Sequence, residues 1–178
     1  MKKWLSLALA IVLCLVLAAG CGSSEASDPA EVKGEVFDAG EVSALVPEGW
    51  MAIPGSDLFD EYEGDTNPFS FSIYKGAKSE WDMFSCPGLT ISFYPADEEF
   101  YSAKDWYDEV QDLDPITMDN YTWTGYTGKS LDTPITVLEA KDGDNDFQVS
   151  LTTEMDNKTI SLEDADVQAI IASIQPSK

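Results

Sequence analysis

Hydrophobic positions along this chain change their period several times, and each change marks a different kind of segment. Leu5 to Leu17 is an almost unbroken apolar run, preceded by Lys2 and Lys3 and followed by Ala18, Ala19 and Gly20. The stretch 22–34 is small, polar and acidic, with too little apolar surface to fold on its own. From Glu35 the pattern becomes period 2. Glu41 to Pro47 alternates, Phe69 to Tyr74 sets Phe69, Phe71 and Ile73 on one face, and Leu89 to Tyr94 does the same with Leu89, Ile91 and Phe93. These are strand signals. Ser102 to Leu113 then places Trp106, Val110 and Leu113 at helical spacing, which predicts a helix capped by Ser102 and ended by Asp114-Pro115. Strands are predicted again at Ile116 to Met118, Tyr121 to Tyr126, Ile135 to Ala140 and Phe147 to Thr153. The last two read as a hairpin closed by Lys141–Asp146, where Asp-Gly and Asn-Asp favour turns. Finally, Ser161 sits at an N-cap position with Asp164 three residues later, and Val167, Ile170, Ile171 and Ile174 follow at i, i+3, i+4 and i+7. That is an amphipathic helix, closed by Pro176.

Strands before, between and after two helices predict an α+β domain, with an antiparallel β-sheet flanked by helices. The organisation expected is a signal peptide over 1–20, a lipidated cysteine and flexible tether over 21–34, and a single domain over 35–178. Two segments carry a resemblance. Val46-Pro47-Glu48-Gly49-Trp50 resembles the turn of PsbP-like domains, and the closing helix with Ile170-Ile171-Ala172-Ser173-Ile174 resembles their terminal helix. The resemblance spans roughly Glu35 to Gln175. It implies an α/β/α sandwich around an antiparallel sheet. It also implies a module that binds other proteins and is not an enzyme, because characterised members of the superfamily mostly do so. No binding motif of that group can be placed on this chain, and a shared fold does not by itself carry function across.

The N-terminal pattern is that of a secretory signal. Its ending, Leu17-Ala18-Ala19-Gly20-Cys21, resembles the lipobox of bacterial lipoproteins, in which the cysteine is acylated and becomes the mature N-terminus. The resemblance implies lipidation at Cys21 and a domain held by diacylglyceryl attachment on the extracytoplasmic face of the cell membrane. The apolar run is shorter than the ~20 residues a permanent span needs, so the alternative of an uncleaved anchor helix is disfavoured.

Charge narrows the partners. There are 33 acidic residues against 10 basic ones, all lysine, giving a net charge of −23 with no histidine. Such a chain is not expected to bind nucleic acid or anionic head groups, which require cationic side chains. Without histidine or arginine there is no Ser-His-Asp arrangement, no imidazole ligand for zinc and no bidentate phosphate clamp. No Gly-rich phosphate loop is present and no cofactor is expected. Paired carboxylates acting as in glycoside hydrolysis are the remaining catalytic option, and among 33 acids such pairs arise by chance.

Candidate residues remain. Asp57 to Asp65 is an acidic loop with aromatics interleaved, and Phe59, Asp60, Glu61, Tyr62 and Glu63 form a candidate partner-binding lip as an alternative to a merely solvated loop. Asp97 to Tyr101 has the same character. Asp142, Asp144 and Asp146 have the spacing with which many calcium loops begin, but Phe147 and Thr153 stand where an EF-hand needs Gly and Glu. A polar hairpin turn is the favoured reading, with a weak calcium site as the alternative. Once Cys14 leaves with the signal and Cys21 takes lipid, Cys86 is the only thiol left, expected to be buried and inert for want of a cationic neighbour. Trp50 and Trp106 are expected in the core, as are Tyr121 and Trp123, whose alternative is a sugar-stacking face. The function expected is therefore a non-enzymatic protein-binding or accessory domain, the alternative being a calcium- or glycan-binding lipoprotein.

Overall fold

A computed structural model describes residues 32–56 and 66–177. The signal segment, Cys21 and nearly all of the tether lie outside the described residues, as does the loop 57–65 with Phe59, Asp60, Glu61, Tyr62 and Glu63. The elements in chain order are β1 (Gly34–Asp38), β2 (Val42–Pro47), β3 (Trp50–Ser56), β4 (Thr66–Lys75), β5 (Gly88–Tyr94), β6 (Asp108–Met118) and β7 (Tyr121–Ser130). They are followed by β8 (Thr133–Asp142), β9 (Asn145–Thr152), β10 (Glu154–Met155), β11 (Lys158–Thr159), α1 (Ala165–Ala172) and β12 (Gln175–Pro176). Seven strands form an antiparallel sheet in the order β3-β4-β5-β9-β8-β7-β6. A smaller sheet, β1-β2-β12, lies with α1 against one face of it.

The period-2 pattern explains the core. Phe71, Ile73, Leu89, Ile91, Val149 and Leu151 point to the same inner face by register and are fully buried. Val42 and Ala44 from β2, Val167, Ile170 and Ile171 from α1, and Ile174 just after it complete that core from the other side. Two polar clasps hold the helix there. Trp50 Nε1 donates to Asp166 Oδ2 at 3.1 Å near its start. At its end Ser173 Oγ accepts the Leu45 amide at 2.7 Å and donates to the Ile170 carbonyl at 2.7 Å. The Val46–Trp50 motif is the crossing between the two sheets: β2 ends at Pro47, β3 starts at Trp50, and Gly49 supplies the φ of +85° that the turn requires.

Two expectations are corrected. The sheet is not sandwiched between helices, since the described residues contain one α-helix, of 8 residues, on the inner face only. The helix predicted over Ser102–Leu113 is instead a short 3₁₀ turn at Lys104–Trp106 leading into edge strand β6. The misleading spacing joins residues that share no face: Trp106 precedes the strand, and Val110 and Leu113 face opposite sides of it, between bulges at Asp108–Gln111 and Leu113–Ile116 that each insert an extra residue. Leu113 then joins the inner core, Val110 packs on the outer face against the Tyr126, Ile135 and Val137 cluster, and Trp106 is 86 % exposed. Pro115, expected to stop a helix, sits inside the second bulge, a position an edge strand tolerates.

Candidate functional site

The outer face of the large sheet is where polar side chains collect. Register places Ser70, Ser72, Thr90, Ser92, Gln148 and Ser150 on it, opposite the inner apolar set. Their hydroxyls pair across strands, Ser72 with Thr90 at 2.9 Å and Ser70 with Ser92 at 3.2 Å. The chain after β5 crosses the other part of this face, above β7 and β8. Phe100 meets the Tyr94 ring edge-on at 5.1 Å, Lys104 Nζ lies 5.9 Å from the Tyr126 ring, and the Tyr107 and Tyr126 rings are 6.2 Å apart.

Beneath this crossing segment lies a cavity of about 600 Å³ lined by Phe100, Thr122, Thr124, Glu139, Lys141 and Asp146, together with Ala140. Glu139 is its central polar group. Its carboxylate accepts from Ser102 Oγ at 2.7 Å and from Gln148 Nε2 at 3.5 Å, and among the described residues no lysine pairs with it. Lys141 is instead bound to Asp146 at 2.9 Å, directly across the β8–β9 ladder. Thr124 Oγ1 donates to the Glu139 backbone carbonyl at 3.4 Å. Close by, Tyr126 is only 2 % exposed, and its phenolic oxygen lies beside Ser102 without completing hydrogen-bond geometry. Burial pushes the Tyr126 phenol up to about 12, with the Glu139 charge adding to the shift and the Ser102 hydroxyl opposing it. Chemically the pocket is a set of oriented acceptors and hydroxyls beside one aromatic wall.

The residues singled out from sequence fare differently. Asp142 and Asp146 flank a two-residue turn, Gly143-Asp144, with Gly143 at φ +65°. The hairpin is present, but alternation sends the two strand carboxylates to opposite faces. Asp142 accepts from Tyr121 Oη at 3.3 Å on the inner side, while Asp146 faces Lys141 on the outer side. Among the described residues no group of three or more Asp, Glu, Cys or His is placed to hold a metal ion. Trp50 and Trp123 are buried and Tyr121 is half-buried, whereas Trp106 is not in the core at all. Cys86 is buried as expected, but the structure supplies the cationic neighbour that proximity in sequence did not: Lys158 Nζ lies 3.3 Å from its Sγ. The sequence marks Ser102 only as a helix cap and Tyr126 only as a strand residue, and does not mark Glu139. The one available signal is Glu139, a lone charge in the largely apolar run Ile135–Ala140.

Comparison with known proteins adds little beyond shape. No protein-family model matches the chain, and no curated protein matches it in sequence. Among solved structures, the chain is similar to a crystal structure from Bacteroides thetaiotaomicron at 13% identity and a TM-score of 0.44. That match covers 82% of this chain and 49% of the other, so this chain spans about half that protein's length. It is also similar to the solution structure of cyanobacterial PsbP (CyanoP) from Synechocystis sp. PCC 6803, at 12% identity and a TM-score of 0.38, covering 90% of this chain and 99% of that one. A PsbP protein is thus among the similar structures. Both TM-scores are below 0.5, and neither likeness carries weight for family, ligand or partner.

Proposed function

We propose that this chain is a non-enzymatic protein-binding or accessory domain, anchored through lipid at Cys21 on the extracytoplasmic face of a cell membrane and displayed on the 21–34 tether. The reading of the anchor rests on the Leu17–Cys21 pattern and the apolar run before it. No described helix is long and apolar enough to cross a membrane.

One observation carries the binding role: ordered turns hold large aromatics out in solvent. Trp81 is 81% exposed and Phe84 66%. Their 3₁₀ turn, Glu80–Phe84, is fixed by Asp82, whose carboxylate accepts the amides of Lys78 at 2.8 Å and Ser79 at 3.0 Å. Those bonds, the Lys78 one foremost, also hold the Asp82 carboxyl below its ordinary range. Tyr101 and Trp106 stand out similarly on the segment crossing the outer face. Aromatic anchors dominate protein interfaces, and a rigid turn lowers the entropy lost on docking. With a net charge of −23, the complementary partner surface is basic or neutral.

The test is in-cell photo-cross-linking from positions 81 and 106, in the native chain and in Cys21→Ser. One specific adduct, formed from either position and lost in the Cys21→Ser chain, is the expected result. Background labelling alone from both positions would overturn the assignment of these aromatics to an interface.

A further inference from the structure

We infer that the outer-face cavity between the 100–102 segment and strands β7, β8 and β9 is a binding site for a neutral sugar unit. The inference does not rest on the anchored, protein-binding reading above, because the cavity is distinct from the exposed aromatics at Trp81 and Phe84.

Its size, about 600 Å³, lies within the range of small-ligand sites. Its chemistry then selects among ligands. Glu139 is half-buried, held in place by Ser102 and Gln148, and not paired with any lysine among the described residues. A carboxylate with spare lone pairs accepts hydroxyl donors well. Thr124 Oγ1, its proton given to the Glu139 carbonyl, offers acceptor lone pairs, Thr122 shares its hydroxyl with Thr117 at 3.3 Å, and the Lys141–Asp146 pair adds a donor and an acceptor in fixed relation. Phe100 supplies a wall, its ring steadied by the edge contact with Tyr94. A face of C–H groups on one side and vicinal hydroxyls on the other is the ligand that satisfies both halves. Phosphates, sulfates and uronates are excluded by two carboxylates in the lining and by the charge of the whole chain. An acyl chain fits less well, because it would have to bury the Glu139, Lys141 and Asp146 charges of the lining without giving them a partner.

The Tyr126 hydroxyl, buried beside Ser102 and without a hydrogen-bond partner, lies outside the lining of this cavity and is no part of the ligand contact. The Tyr121 and Trp123 face considered from sequence is not this site, since Trp123 is fully buried on the inner side.

The experiment is amide and methyl NMR on the soluble 22–178 chain, titrated with the neutral disaccharides cellobiose, maltose and N,N′-diacetylchitobiose, and with digalacturonate as anionic control. The expected result is saturable shifts at Phe100, Thr122, Thr124 and Glu139 with at least one neutral sugar, at millimolar dissociation constants. Digalacturonate should bind about tenfold more weakly or not at all. Phe100→Ala and Glu139→Gln should each weaken binding about tenfold while leaving the unfolding midpoint near that of the native chain. Tyr126→Phe, which keeps the ring, should leave it unchanged. Absence of shifts with all three neutral sugars at about 50 mM, well above a millimolar dissociation constant, would overturn the assignment. So would shifts that persist unchanged in Phe100→Ala and Glu139→Gln, or tighter binding of digalacturonate than of the neutral sugars.

Discussion

Gly125→Ala is the sharpest single probe of how the sheet positions its outer-face pocket. Gly125 lies on β7 opposite Leu138, on the inner face of the central β7–β8 ladder. A Cβ there would fall well under 3.0 Å from the Val137 carbonyl oxygen, and 2.7 Å from Leu138 Cδ2. Ordinary contact begins near about 3.5 Å, so β7 and β8 would have to separate locally or twist. A side chain can rotate away, but the backbone oxygen cannot without loosening the ladder. Overpacking typically costs about 1–3 kcal/mol, and a backbone obstacle puts this case at about 3 kcal/mol or above. That is a large fraction of a domain's total stability of about 5–15 kcal/mol. The control is Gly49→Ala, where nothing lies within 4 Å but φ is +85°. That change meets only conformational strain, about 1–2 kcal/mol. Urea unfolding followed by tryptophan fluorescence measures both, with a constant slope showing that the denatured state is unchanged. A double-mutant cycle with Leu138→Ala separates the two obstacles. If Gly125→Ala costs less than Gly49→Ala, or if Leu138→Ala recovers most of its loss, the backbone-clash reasoning fails.

Other consequences can be checked alongside it. Tyr126→Phe removes a buried hydroxyl that has no partner, so stability should stay level or rise by up to about 1 kcal/mol in the same urea assay; a clear loss would reveal a hydrogen bond made by that hydroxyl. The Tyr126 phenol is held up at about 12, so between pH ~10 and ~12 the folded chain keeps a proton that the unfolded chain loses. Stability therefore falls as pH rises through that window, and the slope should be shallower in Tyr126→Phe. Calcium at about 10 mM should leave the melting temperature unchanged, because Asp142 and Asp146 face opposite ways; a rise abolished by Asp142→Asn would reinstate the turn as a site. Reversing charge at Asp60, Glu61 and Glu63 together should weaken partner recovery if the loop joining β3 and β4 belongs to the contact surface, and unchanged recovery would remove it.

What was legible in the sequence follows from how local each structural cause is. Phe69–Tyr74 and Leu89–Tyr94 alternate because one face of the sheet is buried and the other is polar, so their period survives as a pattern. The closing helix is equally readable, since Val167, Ile170, Ile171 and Ile174 all meet the core and are buried. Its N-cap lies at Asp164, with Ser161 Oγ bonded to that carboxylate at 3.2 Å in the preceding turn. The tail was half-read. Pro176 does follow the helix, but Gln175–Pro176 also pairs with β2, a contact that depends on a strand over a hundred residues earlier. Ser102–Leu113 failed for a different reason. Its helical spacing joins an exposed turn residue, Trp106, to Val110 and Leu113 on opposite faces of a bulged edge strand. Only the partner strand reveals that.

The pocket escaped sequence reading because none of its chemistry is contiguous. Glu139, Ser102, Thr124 and Phe100 come from two strands and a crossing segment, and each is unremarkable in its own neighbourhood. What joins them is that no helix among the described residues covers the outer face, the same feature that separates this fold from the expected sandwich. Had Ser102–Leu113 been a helix with Trp106 turned inward, it would have covered β7 and β8 and left no cavity at Glu139. Because that segment is extended, Ser102 reaches the carboxylate, Phe100 reaches Tyr94, and Trp106 is left in solvent. The bulges in β6 therefore do more than protect a sheet edge. By spoiling helical continuity just after the 3₁₀ turn, they leave the outer face open where the oriented carboxylate lies. Shortening β6 by one residue at Glu109 should regularise the Asp108–Gln111 register and shift Tyr107 off Tyr126. Loss of the Ser102–Glu139 contact in that variant, read as a shifted Glu139 resonance, would tie the pocket to the bulge, and an unmoved resonance would separate them.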